Sequence, residues 1–105
     1  MEKRFTLIFD EIILKQLKQA AKNQFIRNLL SKMLDKIEEF GPKGGELLDS
    51  QLGIYEVKKK HPPLRLYYKF NQSTNEIYVF EYEMKTSSEK QQKTIQRIKA
   101  KLLKS

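Results

Sequence analysis

Between Ile54 and Met84 the chain reads as three strand-length runs in succession, and this constrains its fold more than any other feature. Ile54 to Lys60, Leu64 to Asn71 and Glu76 to Met84 are rich in β-branched and aromatic residues alternating with polar ones. His61-Pro62-Pro63 separates the first two runs, and the polar turn Gln72-Ser73-Thr74-Asn75 separates the second two. Neither proline can donate to a ladder, so both are expected in the bend. Runs at this spacing pair with their neighbours and predict an antiparallel meander.

Such a sheet needs a cover for its apolar face, and the N-terminal half supplies one. Arg4 to Phe9 reads as a short strand ending at Asp10, a natural N-cap. Ile13, Leu14, Leu17 and Ala21 then recur at helical spacing, with Lys15, Lys18 and Lys22 opposite. After a break at Lys22-Asn23, the residues Ile26, Leu29, Leu30, Met33, Leu34, Ile37 and Phe40 trace a long amphipathic helix that Gly41-Pro42 stops. The short link makes the two helices an antiparallel hairpin.

Gly41 to Gln51 reads as a connecting loop, and Gly44-Gly45 lacks the Lys-Ser/Thr pair of a phosphate loop. Ser88-Glu89-Lys90-Gln91 fits a capping box opening a last helix that carries Ile95, Ile98 and Leu102. The expectation is one α+β domain over residues 1 to 105, in the order β-α-α-β-β-β-α, with the hairpin on one face of the sheet.

The composition narrows the chemistry. With 39% apolar and 32% charged residues this is an ordinary globular mixture. The absence of cysteine removes disulfides, thiolate metal sites and a Cys nucleophile, and a single His61 argues against zinc. No run approaches a membrane span, and Met1 to Asp10 lacks the apolar core of a signal peptide, so a soluble cytoplasmic protein without membrane contact is expected. Of the net charge of +8, residues 1 to 52 contribute nine cations against eight acids, and residues 53 to 105 twelve against five. The excess in the second half suggests a polyanionic partner there.

Strand alternation sorts the residues by face. Tyr55, Val57 and Lys59 point one way and Glu56, Lys58 and Lys60 the other; Leu64, Leu66, Tyr68 and Phe70 form a core set, leaving Arg65, Tyr67 and Lys69 opposite. Tyr78, Phe80, Tyr82 and Met84 alternate with Ile77, Val79, Glu81 and Glu83. The face away from the hairpin then gathers Glu56, Lys58, Lys60, Arg65, Tyr67, Lys69, Glu81 and Glu83. It reads either as a solvated surface of cross-strand ion pairs, Arg65 with Glu81 or Glu83, or as a surface that binds phosphates and stabilises charge on phosphorus. On the second reading Tyr67 could stack a base.

The element order, the Gly53-Ile54-Tyr55-Glu56-Val57-Lys58 entry to the second strand, the Pro62-Pro63-Leu64-Arg65-Leu66-Tyr67-Tyr68 start of the third, and Met84-Lys85 before a Lys/Gln-rich helix together resemble the RelE/ParE superfamily of type II toxins, nearest its HigB-like, phage-derived branch. The resemblance spans essentially the whole chain. It implies a RelE-like fold and a ribosome-dependent mRNA endoribonuclease without metal or small-molecule cofactor, partnered by a cognate antitoxin. Carried over by position, it points to Lys58, Lys60, Arg65 and Lys85; with the reading of the strand faces, the candidate catalytic residues are Arg65, Lys58, Lys85 and Glu83, and the candidate RNA-binding residues Lys60, Tyr67, Lys69 and Lys90. The sequence departs from the family in having no Tyr, His, Phe or Trp after Tyr82. A general base would then come from Glu56, Glu81, Glu83 or Tyr67, or the reaction would rest on electrostatic stabilisation and ribosomal positioning. His61, beside two prolines, reads as a turn residue. The alternatives are a ParE-like inhibitor of DNA gyrase and a catalytically inactive RNA-binding module.

Overall fold

The computed structural model describes residues 4–84 and 87–104. A first strand, β1 (Thr6–Phe9), leads into the helices α1 (Glu11–Ala20) and α2 (Gln24–Phe40). A 3-10 turn (Gly41–Gly44) and four strands follow: β2 (Glu46–Asp49), β3 (Ile54–Lys60), β4 (Pro63–Asn71) and β5 (Glu76–Met84). The helix α3 (Ser88–Lys104) comes last. The strands form one sheet in the order β1-β5-β4-β3-β2, with β1 parallel to β5 and the other pairs antiparallel.

The caps explain where the helices start. Asp10 accepts from the Ile12 amide at 3.1 Å, and Asn23 Oδ1 accepts from Phe25 and Ile26 at 3.1 and 3.2 Å, which satisfies donors that a helix start leaves free. At α3 the capping residue is Ser87, one position before the expected Ser88: its hydroxyl accepts from the Lys90 amide at 3.1 Å. Gly41 to Gln51 is also more ordered than a connection. It holds the 3-10 turn and the edge strand β2, whose Leu47 pairs with Tyr55. Four residues flanked by a glycine and a turn are too few to show a period.

Both faces of the sheet are covered. Ile13, Ile26, Leu30, Met33 and Ile37 of the helical hairpin pack on Val57, Leu66, Tyr68, Ile77 and Val79. On the other side Ile95 and Ile98 of α3 pack on Ile54, Tyr67 and Phe80. The face expected to gather the polar set is therefore largely an interior, because α3 lies across it.

A bulge in β5 corrects the alternation. Tyr68 pairs with Val79 and Tyr67 with Glu81, so Phe80 is an extra residue in the ladder. Ile77 and Val79 face the hairpin, Phe80 and Glu81 both face α3, and Tyr82 and Met84 return to the hairpin side. A strict period of two had grouped Phe80 with Tyr82 and Met84.

Asp10 does more than cap. It also accepts from Tyr78 Oη at 3.0 Å and from Lys101 Nζ at 2.9 Å, joining α1, β5 and α3. Burial pushes its carboxyl up, but the bonds from Lys101, the Ile12 amide and Tyr78 outweigh this and hold it below the ordinary 3.8. A carboxyl depressed by folding contributes stability above its unfolded value, and the contribution is lost as pH falls through the folded one. Asp10→Asn should therefore flatten the decline of melting temperature between about pH 5 and 3, measured by calorimetry against the parent; an unchanged decline would contradict the assignment.

Gly45 passes so close to β3 and β4 that a Cβ there would lie 2.5 Å from both the Glu56 carbonyl oxygen and Tyr68 Oη. Tyr68 cannot yield easily, since its hydroxyl donates to the Gly41 carbonyl at 3.0 Å and its ring stacks on Tyr55. Gly45→Ala should cost about 1–3 kcal/mol by overpacking, seen as a lower denaturant midpoint at unchanged slope.

Candidate nucleic-acid interface

The β3–β4 hairpin places its cations by register. Lys58 lies directly across from Arg65, and Lys60 across from Pro63, beyond the cis His61–Pro62 peptide. Lys58, Lys59, Lys60 and Arg65 surround a hollow of about 310 Å³ floored by Pro63 and Leu64. Lys59, expected on the core side, is exposed, while Leu64 across from it is buried in the core.

Arg65 is the fixed member of the group. Its Nη1 donates to Glu56 Oε1 at 2.8 Å, and the same oxygen accepts from Gln91 Nε2 at 3.0 Å. Glu56 is only 3% exposed. The bond to Glu56 pushes the guanidinium further up, so Arg65 is a permanent cation with its orientation set. Neither Glu81 nor Glu83 is its ionic partner. Glu83 stands opposite it in the ladder, yet both oxygens of that carboxylate are engaged elsewhere. Lys58 meets Glu46 at 3.5 Å with both side chains at least half exposed, a contact worth little in water.

Beside this hollow, under α3, lies a row of buried acids. Glu83 accepts from Tyr67 Oη at 2.8 Å and from Thr94 Oγ1 at 2.6 Å. Glu81 accepts from Arg97. Burial pushes the Glu81 carboxyl up, with Arg97 drawing it partly back. Burial, and then the bond to Glu83, push the Tyr67 hydroxyl far up, so it stays protonated and donating.

The structure thus brings Lys58, Lys60 and Arg65 together and separates them from other assigned residues. Tyr67 is fully buried, its ring among Ile54, Phe80, Ile95 and Ile98, so it is a core residue here and offers no face to a base. Glu83 is 8% exposed beneath α3. Lys69 lies toward the far end of β4, where it donates to the Leu52 carbonyl at 2.8 Å. Lys90 is exposed on the first turn of α3, at the rim of a groove lined also by Glu81, Glu83 and Arg97. Lys85 falls outside the described residues. Sequence reasoning missed Gln91, Thr94 and Arg97 as partners of Glu56, Glu83 and Glu81; their spacing of three on a helix already places them on one face. Among the described residues no group of three or more Asp, Glu or His is placed to hold a metal ion, and no helix is long and apolar enough to cross a membrane.

This arrangement has solved counterparts. Isolated RelE toxin from E. coli superposes with a TM-score of 0.65 at 23% identity, over 90% of this chain and 98% of that one. The chain has the RelE fold. A double arginine-to-alanine mutant of E. coli RelE in the free state gives a TM-score of 0.68 at 23% identity, over 91% and 99% of the two chains. The RelBE2 toxin-antitoxin complex of Mycobacterium tuberculosis gives 0.63 at 12% identity, over 79% and 100%. Neither a protein-family model nor a curated protein sequence matches the chain. The RelE fold with a hairpin on one face agrees with the expectation from sequence, whereas α3 on the other face supplies the cover that the sequence reading left out.

The buried Tyr67–Glu83–Thr94 cluster is open to test. Tyr67→Phe removes one of the two donors to a buried carboxylate and should lower stability by about 1–3 kcal/mol. Combined with Thr94→Val in a double-mutant cycle, the effects should be non-additive, because the two hydroxyls share one acceptor group.

Proposed function

We propose that the chain is the toxin of a type II toxin-antitoxin pair, which cleaves mRNA on the ribosome in the cytoplasm and is restrained by a cognate antitoxin. The observation that carries this is a preoriented Arg65, flanked by Lys58 and Lys60, on a RelE fold. The solved chains sharing that fold are described as toxins, alone or in toxin-antitoxin complexes.

RNA cleavage by attack of a 2′-hydroxyl builds negative charge on the phosphoryl oxygens. A cation already aimed at that charge lowers the barrier because it does not reorganise during the step. Glu56, itself held by Gln91, fixes Arg65 in that way, and the exposed ammonium groups of Lys58 and Lys60 neutralise the adjoining phosphates. Lys85, next in sequence after β5, completes the proposed cationic set. Because both oxygens of Glu83 are engaged beneath α3, the 2′-hydroxyl proton passes to water, and the ribosome contributes by orienting the attacking oxygen.

The burial of Tyr67, Glu81 and Glu83 also favours a second reading, an RNA-binding module that does not cleave. Induced expression with mapping of mRNA ends separates the two. The toxin should arrest growth and generate new mRNA ends within translated codons, and Arg65→Ala should reduce cleavage by about 10²–10³-fold. Removing Arg65 leaves buried Glu56 without its ion partner, so Arg65→Ala combined with Glu56→Gln serves as the folded control. Cleavage at parental level in the double variant would exclude Arg65 from the chemistry. Intact mRNA with RNA binding would support the binding module, and intact mRNA with DNA damage the gyrase inhibitor.

A further inference from the structure

Below the Arg65 hollow, on the outer side of β3, lies a second concavity of about 250 Å³. Its cations come from three separate elements: Lys36 from α2, Lys43 from the 3-10 turn and Lys58 from β3. The turn is held there by close packing, since a Cβ on Gly44 would lie 3.2 Å from the Lys36 carbonyl oxygen and one on Gly45 would strike Tyr68. Two acids, Glu46 and Glu56, also line it. Glu56 is answered by Arg65, and Glu46 sits 3.5 Å from Lys58. Lys36 and Lys43 have no ion pair among the described residues, so the concavity keeps two unmatched positive charges.

We infer that Lys36, Lys43 and Lys58 form a second phosphate subsite, which takes the RNA backbone where it leaves the Arg65 hollow and crosses the outer edge of β3. This rests on the RNA-binding part of the proposed function. Lys58 lines both hollows, so the positive surface is continuous from one to the other. β2 pairs with β3 at Ile54 to Glu56, which among the described residues leaves Val57 to Lys60 as an open edge for the strand of RNA to cross. The ligand class follows from the walls. An acidic protein segment would bury apolar anchors, and Val57 is the sole apolar side chain of the lining. A phosphodiester needs only point charges arranged around it, which three lysines on separate elements provide.

Binding of the full chain to two fluorescent single-stranded RNAs, a trinucleotide and one of roughly 12 nucleotides, tests the inference over a range of salt concentrations. Lys36→Gln with Lys43→Gln should weaken the longer RNA by about tenfold at low salt and reduce its salt slope by about 0.7 per cation removed, leaving the trinucleotide unchanged. Lys15→Gln with Lys18→Gln, an equal charge loss on α1, should alter neither. Equal weakening by both double variants would reduce the effect to net charge and overturn the subsite, as would an unchanged affinity for the longer RNA. If the parent binds neither RNA, the RNA reading itself fails. If both RNAs bind and the Lys36/Lys43 variant behaves as the parent, only the subsite fails.

Discussion

The buried carboxylate of Glu83, held between the hydroxyls of Tyr67 and Thr94, is the contact on which the arrangement of this molecule depends. A carboxylate at 8% exposure is costly unless it is hydrogen-bonded, and here each oxygen accepts one bond, from the sheet and from the last helix respectively. Glu56 with Gln91 and Glu81 with Arg97 repeat the pattern on either side. These three links set the register of α3 along the sheet, since a slide of the helix would take Arg97 from Glu81 and leave Glu56 and Glu83 with only their sheet partners, Arg65 and Tyr67. Arg65 inherits its orientation from the same row through Glu56.

The acids reach that row because the ladder is irregular. Without the extra residue at Phe80, a strict alternation would send Glu81 and Glu83 to the hairpin side or displace Ile77 and Val79 from it. The bulge lets one strand serve an apolar layer at its start and a polar, α3-facing row at its end. A helix start is fixed with similar economy at Asp10, which caps α1 while bonding to β5 and α3.

Much of this was readable in the sequence where a single local rule decides the outcome. Asp10 and Asn23 acted as caps, the period from Ile26 to Phe40 gave α2, and breaks at His61-Pro62 and at the polar turn divided β3, β4 and β5, although Pro63, expected in the bend, opens β4 opposite Lys60. What escaped reading depends on contacts distant in the chain. β2 has four residues and takes its strand geometry from pairing with β3; the bulge shows only once β5 is laid beside β4. At the site, the cluster of Lys58, Lys60 and Arg65 follows from the hairpin register, which alternation supplies. The burial of Tyr67 does not, because it requires knowing that α3, with a short apolar stripe among many lysines, folds back over the second face. Its polar stripe of Gln91, Thr94 and Arg97 carried that information in a form that a search for apolar periodicity passes over.

The open edge of β3 has one more consequence. An unpaired strand edge invites another chain to add to it, and proteins commonly guard such edges with lysine, whose charge repels a second copy. Lys58, Lys59 and Lys60 stand on that stretch. The residues that would draw in a polyanion therefore also keep the sheet from growing, so they cannot be exchanged for apolar residues without making the protein self-associate. Selection on solubility and selection on binding act here on the same three side chains, and a chain that lost its ligand would still be under pressure to keep them basic.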